Sequence, residues 1–395
     1  KSGWQGCNLT EINGGKCNTE EDFYKACRAA SILGTLQAGY TDFKFLSDTS
    51  KKIFDREALL GVSITGWMNN PDILFDEKIL QKGAEIVKEV NKEMAAIIGI
   101  NPAARTTCVK PSGNASVLLQ TASGIHAEHS NMYIRNVQMN KESEITQAIM
   151  KTNPYMVEDS VWSAGGTDVV VSFPILPKKG SMYKDDLLGV KHLELVKKAQ
   201  KHWVEAGTNE DLCADKGVRH NVSNTIIVDN WEEVEKYVFE NRHSFAGISF
   251  LAMTGDKDYN QAPNTAVITA KDMVKKYGNA AVFASGMVVD ALKCFNNLWD
   301  ACSTAKGFGE DLSLESSENA MKRDWIRRFG KFADNYLKSD TLLAEHCLKD
   351  AYLLHKWNKI QSTLKTVDWK EDIKERKYTD VDTLAAAACA GGACE

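Results

Sequence analysis

Short β-branched runs alternate with amphipathic helical stretches, and this alternation constrains the fold more than any other feature. Val169-Val170-Val171-Ser172-Phe173, Thr225-Ile226-Ile227-Val228 and Gly247-Ile248-Ser249-Phe250-Leu251 read as strands. A charged amphipathic helix, Trp231 to Asn241, lies between the last two. Nearer the start, Asn18 precedes the acidic run Thr19-Glu20-Glu21-Asp22, which favours a helix N-terminus. Phe23, Ala26, Cys27, Ala30 and Leu33 then recur at helical spacing and predict one buried face. Ile79, Leu80, Val87, Val90, Met94 and Ile97 form a second stripe, closed by Gly99 and Asn101-Pro102. Strands that alternate with helices predict an α/β architecture with a largely parallel sheet. Towards the end, strand candidates thin out, and Ser285 to Cys302 and Ala320 to Trp357 read as helical. From about Asp368 the chain turns charged and aperiodic, and its small residues and Gly391-Gly392 predict a flexible tail.

Composition narrows the function classes. The net charge is only −5, too small to draw the chain to nucleic acid or to a membrane surface. No apolar run approaches the ~20 residues of a membrane span, and Lys1-Ser2-Gly3-Trp4 forms no targeting peptide. Ten cysteines in a long, helical chain do not suit a secreted disulfide scaffold. A reducing, cytoplasmic setting is expected, with most thiols in the core and a minority in redox work. A Gly-containing turn leads from Lys1 to Cys7 and an apolar stretch, which reads as a start in mid-domain.

Three stretches carry candidate chemistry. Cys389 and Cys394, separated by Ala-Gly-Gly-Ala, close on each other with little strain and suit a dithiol that travels between two sites. A zinc site is the alternative, but it needs about four ligands, and no further Cys or His lies near in sequence. Lys110-Pro111-Ser112-Gly113-Asn114-Ala115-Ser116 offers clustered amides and hydroxyls for an anion. It is no Walker loop, and read alone it is equally an ordinary turn. Thr121 to His126, with His129 beyond, adds a second Gly turn without metal-ligand spacing. Cys7, in Gly6-Cys7-Asn8-Leu9-Thr10-Glu11-Ile12, stands at an expected strand, where core packing is the default.

Together these stretches resemble the ribonucleotide reductases. Cys7-Asn8-Leu9-Thr10-Glu11-Ile12 is similar to the family's barrel strand bearing one reducing cysteine, and Gly61 to Trp67 to the segment after it. Val109 to Ser116, then Ser123-Gly124-Ile125-His126, resembles the substrate-phosphate loop and the turn behind it. Tyr133-Ile134-Arg135-Asn136-Val137, His220 to Thr225, Gly247 to Leu251 and Tyr259-Asn260-Gln261-Ala262-Pro263 extend the likeness in order. Lys-Pro-Ser-Gly with Tyr-Ile-Arg is most similar to the adenosylcobalamin-dependent, triphosphate-reducing type. The oxygen-dependent type has a late Tyr-Tyr pair and the glycyl-radical type a terminal glycine loop; the sequence has no Tyr-Tyr pair and ends instead in a dithiol. The family's radical cysteine sits in an Asn-x-Cys-x-Glu loop, and that motif occurs nowhere in the sequence.

The resemblance implies the second half of a ten-stranded α/β barrel over residues 1–305, a mainly helical extension over 306–380 and a redox tail over 381–395. It implies adenosylcobalamin as cofactor, with no resident metal site among these residues. Cys7 is then one of two reducing cysteines. Ser112, Gly113, Asn114, Ala115 and Ser116 hold the nucleotide phosphates. Cys389 and Cys394 restore the active-site pair and are recharged by a thioredoxin-like protein. The implied partners are the N-terminal half of the same enzyme and a ribonucleoside tri- or diphosphate; no nucleic acid or membrane is implied. The rival readings are a large-subunit fragment of the oxygen-dependent type and a zinc-binding module without catalysis.

Overall fold

The computed structural model describes residues 3–253, 259–307, 312 and 316–372. Cys389 and Cys394, with the expected redox tail, lie outside the described residues. The described strands are β1 (Asn8–Asn13), β2 (Leu60–Thr65), β3 (Tyr133–Asn140), β4 (Val157–Asp159), β5 (Asp168–Ile175), β6 (Thr225–Val228), β7 (Ser249–Ala252) and β8 (Asn264–Ala266). They divide between two compact units. One runs up to Asn131 and resumes at Pro177; the other holds Met132–Leu176 and the residues after Asp256.

The first unit follows the expected alternation. β1 pairs parallel with β2, from Asn8↔Leu60 to Asn13↔Thr65. Residues 105–109 continue beside β2 through the parallel bridge Val62↔Thr107 and the bonds Leu60 N–H to Arg105 O and Cys108 N–H to Val62 O. Val109 in turn bridges Val222 in parallel, which leads into β6, and β6 pairs parallel with β7. Five extended segments thus stand in chain order, all parallel, with crossovers that include helices Glu20–Ala38, Glu77–Ile98, Gly189–Ala199 and Trp231–Glu240.

Local chemistry places the helices. Thr19, rather than Asn18, caps Glu20–Ala38: its hydroxyl accepts from Asp22 N–H while the Asp22 carboxylate accepts from Thr19 N–H. Phe23, Cys27 and Ala30 are buried as expected, but Leu33 is exposed. Gly34 takes the inner position instead, where a Cβ would come within 3.3 Å of Leu60. A stripe at 23, 27, 30 and 34 is the one that 100° per residue generates. Glu77–Ile98 has Asp76 as cap and Gly99 in the left-handed conformation at its end. It buries Ile79, Leu80, Val87 and Val90 and leaves Ile97 exposed. The crossover before β6 ends in a π-helix, Gln200–Glu205. Its Trp203 Nε1–H donates to Cys108 O at 3.0 Å, and Thr107 Oγ1 donates back to Trp203 O at 2.7 Å. The third segment is therefore clamped from behind. Arg105 and Glu57, both buried, approach to 3.6 Å at its start.

The second unit departs from the expected parallel sheet. β4, β5, β3 and β8 form one antiparallel sheet in that order. The run Val169–Phe173 does lie in a strand, but β3 runs from Tyr133↔Ile175 to Asn140↔Asp168 against it. The parallel expectation fails because β3, β4 and β5 follow one another with only a short helix, Glu144–Thr152, and a 3-10 turn, Pro154–Met156, between the first two. The expected helical region is present but broken into Ala280–Ala291, Leu298–Ala305, Ser317–Leu337 and Thr341–Thr363. Lys338 and Ser339, both at positive φ, interrupt the long stretch. Trp325, Phe329, Phe332, Leu348 and Trp357 fill the core between these helices.

Candidate active site

The five-segment sheet has two faces, because successive side chains alternate across a strand. On one face Ile12, Leu60, Val62 and Ile64 are buried in the hydrophobic core of the unit. The other face carries polar groups and thiols. Cys7 immediately precedes β1, and two further alternations reach Glu11. Gly61 and Ser63 lie opposite on β2, with Cys108 on the third segment and Lys110 just after it.

These residues meet. Ser63 Oγ–H donates to Glu11 Oε1 at 3.1 Å and accepts from Lys110 N–H at 3.0 Å. The Ser112 hydroxyl faces the same carboxylate closely enough to pull its pKa down, although it makes no hydrogen bond of good geometry. Burial outweighs these contacts and the Lys110 charge, so Glu11 titrates above the ordinary carboxylate range. The two sulfurs of Cys7 and Cys108 stand over Gly61, where a Cβ would lie 2.6 Å from the first and 3.1 Å from the second. Cys7 is exposed as a residue, yet protein surrounds its sulfur on the inner side. Burial pushes its thiol up to about 12, and Lys110 offsets only part of that. Cys108 is buried, and its thiol is raised further by burial, then by Cys7.

The expected phosphate loop begins a seven-residue helix, Gly113–Leu119, with Ser112 left-handed (φ 58°) at its N-cap. Its first amides have no partner within the helix. Gly113 and Asn114 are exposed, Ala115 is half-buried and Ser116 is buried. Ser116 Oγ–H donates to Gly113 O at 3.2 Å, so this hydroxyl serves the turn itself. A Cβ at Gly113 would meet nothing within 4 Å.

Asn69 fastens the loop from below. Its Oδ1 accepts from Thr121 Oγ1–H and Ala122 N–H, both at 2.6 Å; its Nδ2 donates to Glu128 Oε1 and Ser181 Oγ. Gly124, at φ 51°, passes so close to Lys110 O that a Cβ would be 2.5 Å from it. His126 is no ligand: its Nε2 accepts from Thr225 N–H, and burial lowers its pKa. The structure therefore brings Cys7 and Lys110 to one face with three groups that sequence reasoning missed, Glu11, Ser63 and Cys108. Period-two spacing puts Glu11 on the face of Cys7 and Cys108 on that of Lys110, but only the strand register brings these pairs and Ser63 together.

In sequence the chain is similar to adenosylcobalamin-dependent ribonucleoside-triphosphate reductases. It is 27% identical over 205 residues to a probable one from Dictyostelium discoideum, covering 50% of this chain and 26% of that protein. Identity is 24% over 271 residues to the Euglena gracilis enzyme, covering 66% and 34%, and 25% over 295 residues to that of Lactobacillus acidophilus, covering 66% and 38%. In fold it is similar to the crystal structure of a B12-dependent (class II) ribonucleotide reductase, with a TM-score of 0.57 at 16% identity, over 68% of this chain and 39% of that one. No family model matches the chain. The chain spans between about a quarter and two fifths of the curated relatives it matches.

Proposed function

We propose that the chain is the C-terminal part of an adenosylcobalamin-dependent ribonucleotide reductase, with residues 1–305 supplying the second half of a ten-stranded catalytic barrel. The carrying observation is the order of the five parallel segments. Cys7 leads into the first, Gly61 and Ser63 lie on the second, and the expected phosphate loop follows the third, with Glu11, Ser63 and the Lys110 amide joined on one face. Residues 306–380 then form a helical extension and 381–395 the redox tail.

The reaction is the replacement of the ribose 2′-hydroxyl by hydrogen. Two thiols give up two hydrogens, one oxygen leaves as water, and the thiols become a disulfide. Cys7 is one of them; its partner belongs to the N-terminal half. Burial keeps Cys7 protonated at neutral pH, which suits a hydrogen donor better than a thiolate nucleophile. Ser112, Gly113, Asn114, Ala115 and Ser116 hold the phosphates, chiefly through the free amides of the first helical turn. Cys389 and Cys394 then reduce the disulfide by exchange and are recharged by a thioredoxin-like protein. The substrate is a ribonucleoside tri- or diphosphate. The setting is cytoplasmic; no described helix is long and apolar enough to cross a membrane.

Adenosylcobalamin, when bound, supplies the radical that opens the reaction. No residue of this chain is assigned to it. The described cavity lined by Asn136, Gln138, Trp162, Tyr259 and Gln261 has a volume of about 450 Å³, a size suited to drug-sized ligands and smaller than a corrin needs. Its amides are also engaged: Asn136 with Ala262 O and Gln261 with Asp159 O.

Reconstitution tests the proposal. The chain alone, with adenosylcobalamin and dithiothreitol, should reduce no nucleotide. Co-folding it with an upstream half that bears Asn-x-Cys-x-Glu should give turnover. Activity of the lone chain, or inactivity of a well-folded pair, refutes it.

A further inference from the structure

Cys108 is a second thiol at the candidate site that the proposed reaction does not use, and its relation to Cys7 is unusual. The two residues belong to segments separated by β2. Adjacent strands lie about 4.8 Å apart, so the backbones of alternate strands are roughly 9–10 Å apart. A disulfide requires Cα atoms within about 7 Å of each other. Yet both sulfurs lie within 3.1 Å of the place a Gly61 Cβ would occupy, hence within about 6 Å of each other. The side chains reach towards one another across a glycine, and strand spacing places their backbones farther apart than a direct S–S bond spans. One atom placed between the sulfurs closes that gap. Two metal–sulfur bonds of about 2.3 Å lengthen the bridge by roughly 2.5 Å over a disulfide.

We propose that Cys7 and Cys108 form a two-coordinate site for a soft monovalent cation of the Cu(I) class. The donor set selects the ion: two thiolates and no third ligand suit a soft cation that accepts linear coordination. Among the described residues no group of three or more His, Cys, Asp or Glu side chains could hold a metal ion, so ions that demand four ligands are disfavoured. On binding, each thiol loses its proton to solvent and two S–metal bonds form; no electron moves. The bis-thiolate then carries one net negative charge, which Lys110, close enough to stabilise both sulfurs, balances. Gly61 is what makes room for the ion. The ion would occupy the Cys7 thiol and so block its use as a hydrogen donor, but binding itself requires neither the upstream half nor turnover.

The test uses the full chain with Cys389→Ser and Cys394→Ser, which removes the competing tail dithiol. Cu(I) is supplied anaerobically from its bicinchoninate complex. One equivalent per chain should transfer, with two sulfur neighbours in X-ray absorption, and should protect both Cys7 and Cys108 from alkylation as read by peptide mass spectrometry. Cys7→Ser and Cys108→Ser should each weaken binding at least 100-fold, and Cys294→Ser should not. Gly61→Ala should weaken it at least tenfold with both thiols retained. Protection is read on the chain that keeps Cys7, Gly61 and Cys108, so misfolding of a site variant does not shield the proposal from refutation. Binding that survives Cys108→Ser, protection of Cys7 alone, or ready formation of a Cys7–Cys108 disulfide under mild oxidation would overturn it.

Discussion

Cys7 sits at the edge of a sheet, exposed to solvent, with a thiol pushed from 9.0 to about 12 by burial on its inner side. Thiolate is the alkylating species, so the sign of this shift is directly measurable. Iodoacetamide labelling of Cys7 should rise about tenfold per pH unit up to pH ~10 without levelling, because the thiolate fraction keeps growing below the pKa. A profile that levels near pH 9 would show an ordinary thiol. The proposed phosphate loop offers a second residue-scale prediction, for the reconstituted enzyme. Ser112→Ala should raise KM about fivefold, the size of one hydrogen bond of ~1 kcal/mol. Ser116→Ala should chiefly lower Tm, since that hydroxyl is spent on Gly113 O. Gly113→Val should raise KM more than Ser112→Ala, and the fold itself leaves room for the side chain. Unchanged KM in all three would reduce the loop to a turn. The place of Cys7 at the head of a strand and of a turn at residues 110–116 was legible in the sequence; the roles proposed for them rest on the family resemblance. Glu11, Ser63 and Cys108 were not: each is one member of an alternating strand, and only the register of β1, β2 and residues 105–109 places them together.

At the scale of elements, Asn69 is the joint between the turn after β2 and the loop that follows the helix Gly113–Leu119. Its amide makes four hydrogen bonds, three to side chains and one to the backbone of Ala122. Asn69→Ala would strand buried partners at roughly 1–3 kcal/mol each. The expected result is a lower Tm and, in the reconstituted enzyme, a raised KM with kcat less affected, because the loop loses support rather than reacting groups. An unchanged KM at reduced Tm would show that the joint serves stability only. Glu20–Ala38 and Glu77–Ile98 were legible because their stripes and their cap or stop signals agree, whereas Asp48–Glu57 and Gly189–Ala199 were not read from the sequence. The extended segment at 105–109 was not, since Arg105-Thr106-Thr107 reads as polar. It is held by Trp203 and by the buried Arg105–Glu57 pair, contacts distant in sequence. The antiparallel sheet of β3, β4, β5 and β8 escaped for a related reason: β-branched runs report a strand, while strand direction depends on what connects them.

At the scale of the whole molecule, the proposed reaction makes access to the thiols decide how electrons arrive. Cys7 would stand inside a closed barrel, and a protein reductant is too large to enter one. A dithiol on a tether removes that obstacle, since even a loose linker gives an effective concentration of up to millimolar order. In the reconstituted enzyme, Cys389→Ser and Cys394→Ser should therefore abolish multiple turnover with a thioredoxin system and leave the dithiothreitol reaction intact, because a small thiol enters directly. Cys7→Ser should fail with both reductants, since the active-site pair itself is lost. Shortening the stretch before Ala385 should slow only the thioredoxin-driven reaction, by limiting how far the tail reaches. The contrast between the two reductants is the informative quantity, for it separates delivery of electrons from their use. Equal losses with both reductants in the tail variants would show that Cys389 and Cys394 do not shuttle electrons. Zinc content measured on the same samples would then decide whether they bind a metal instead.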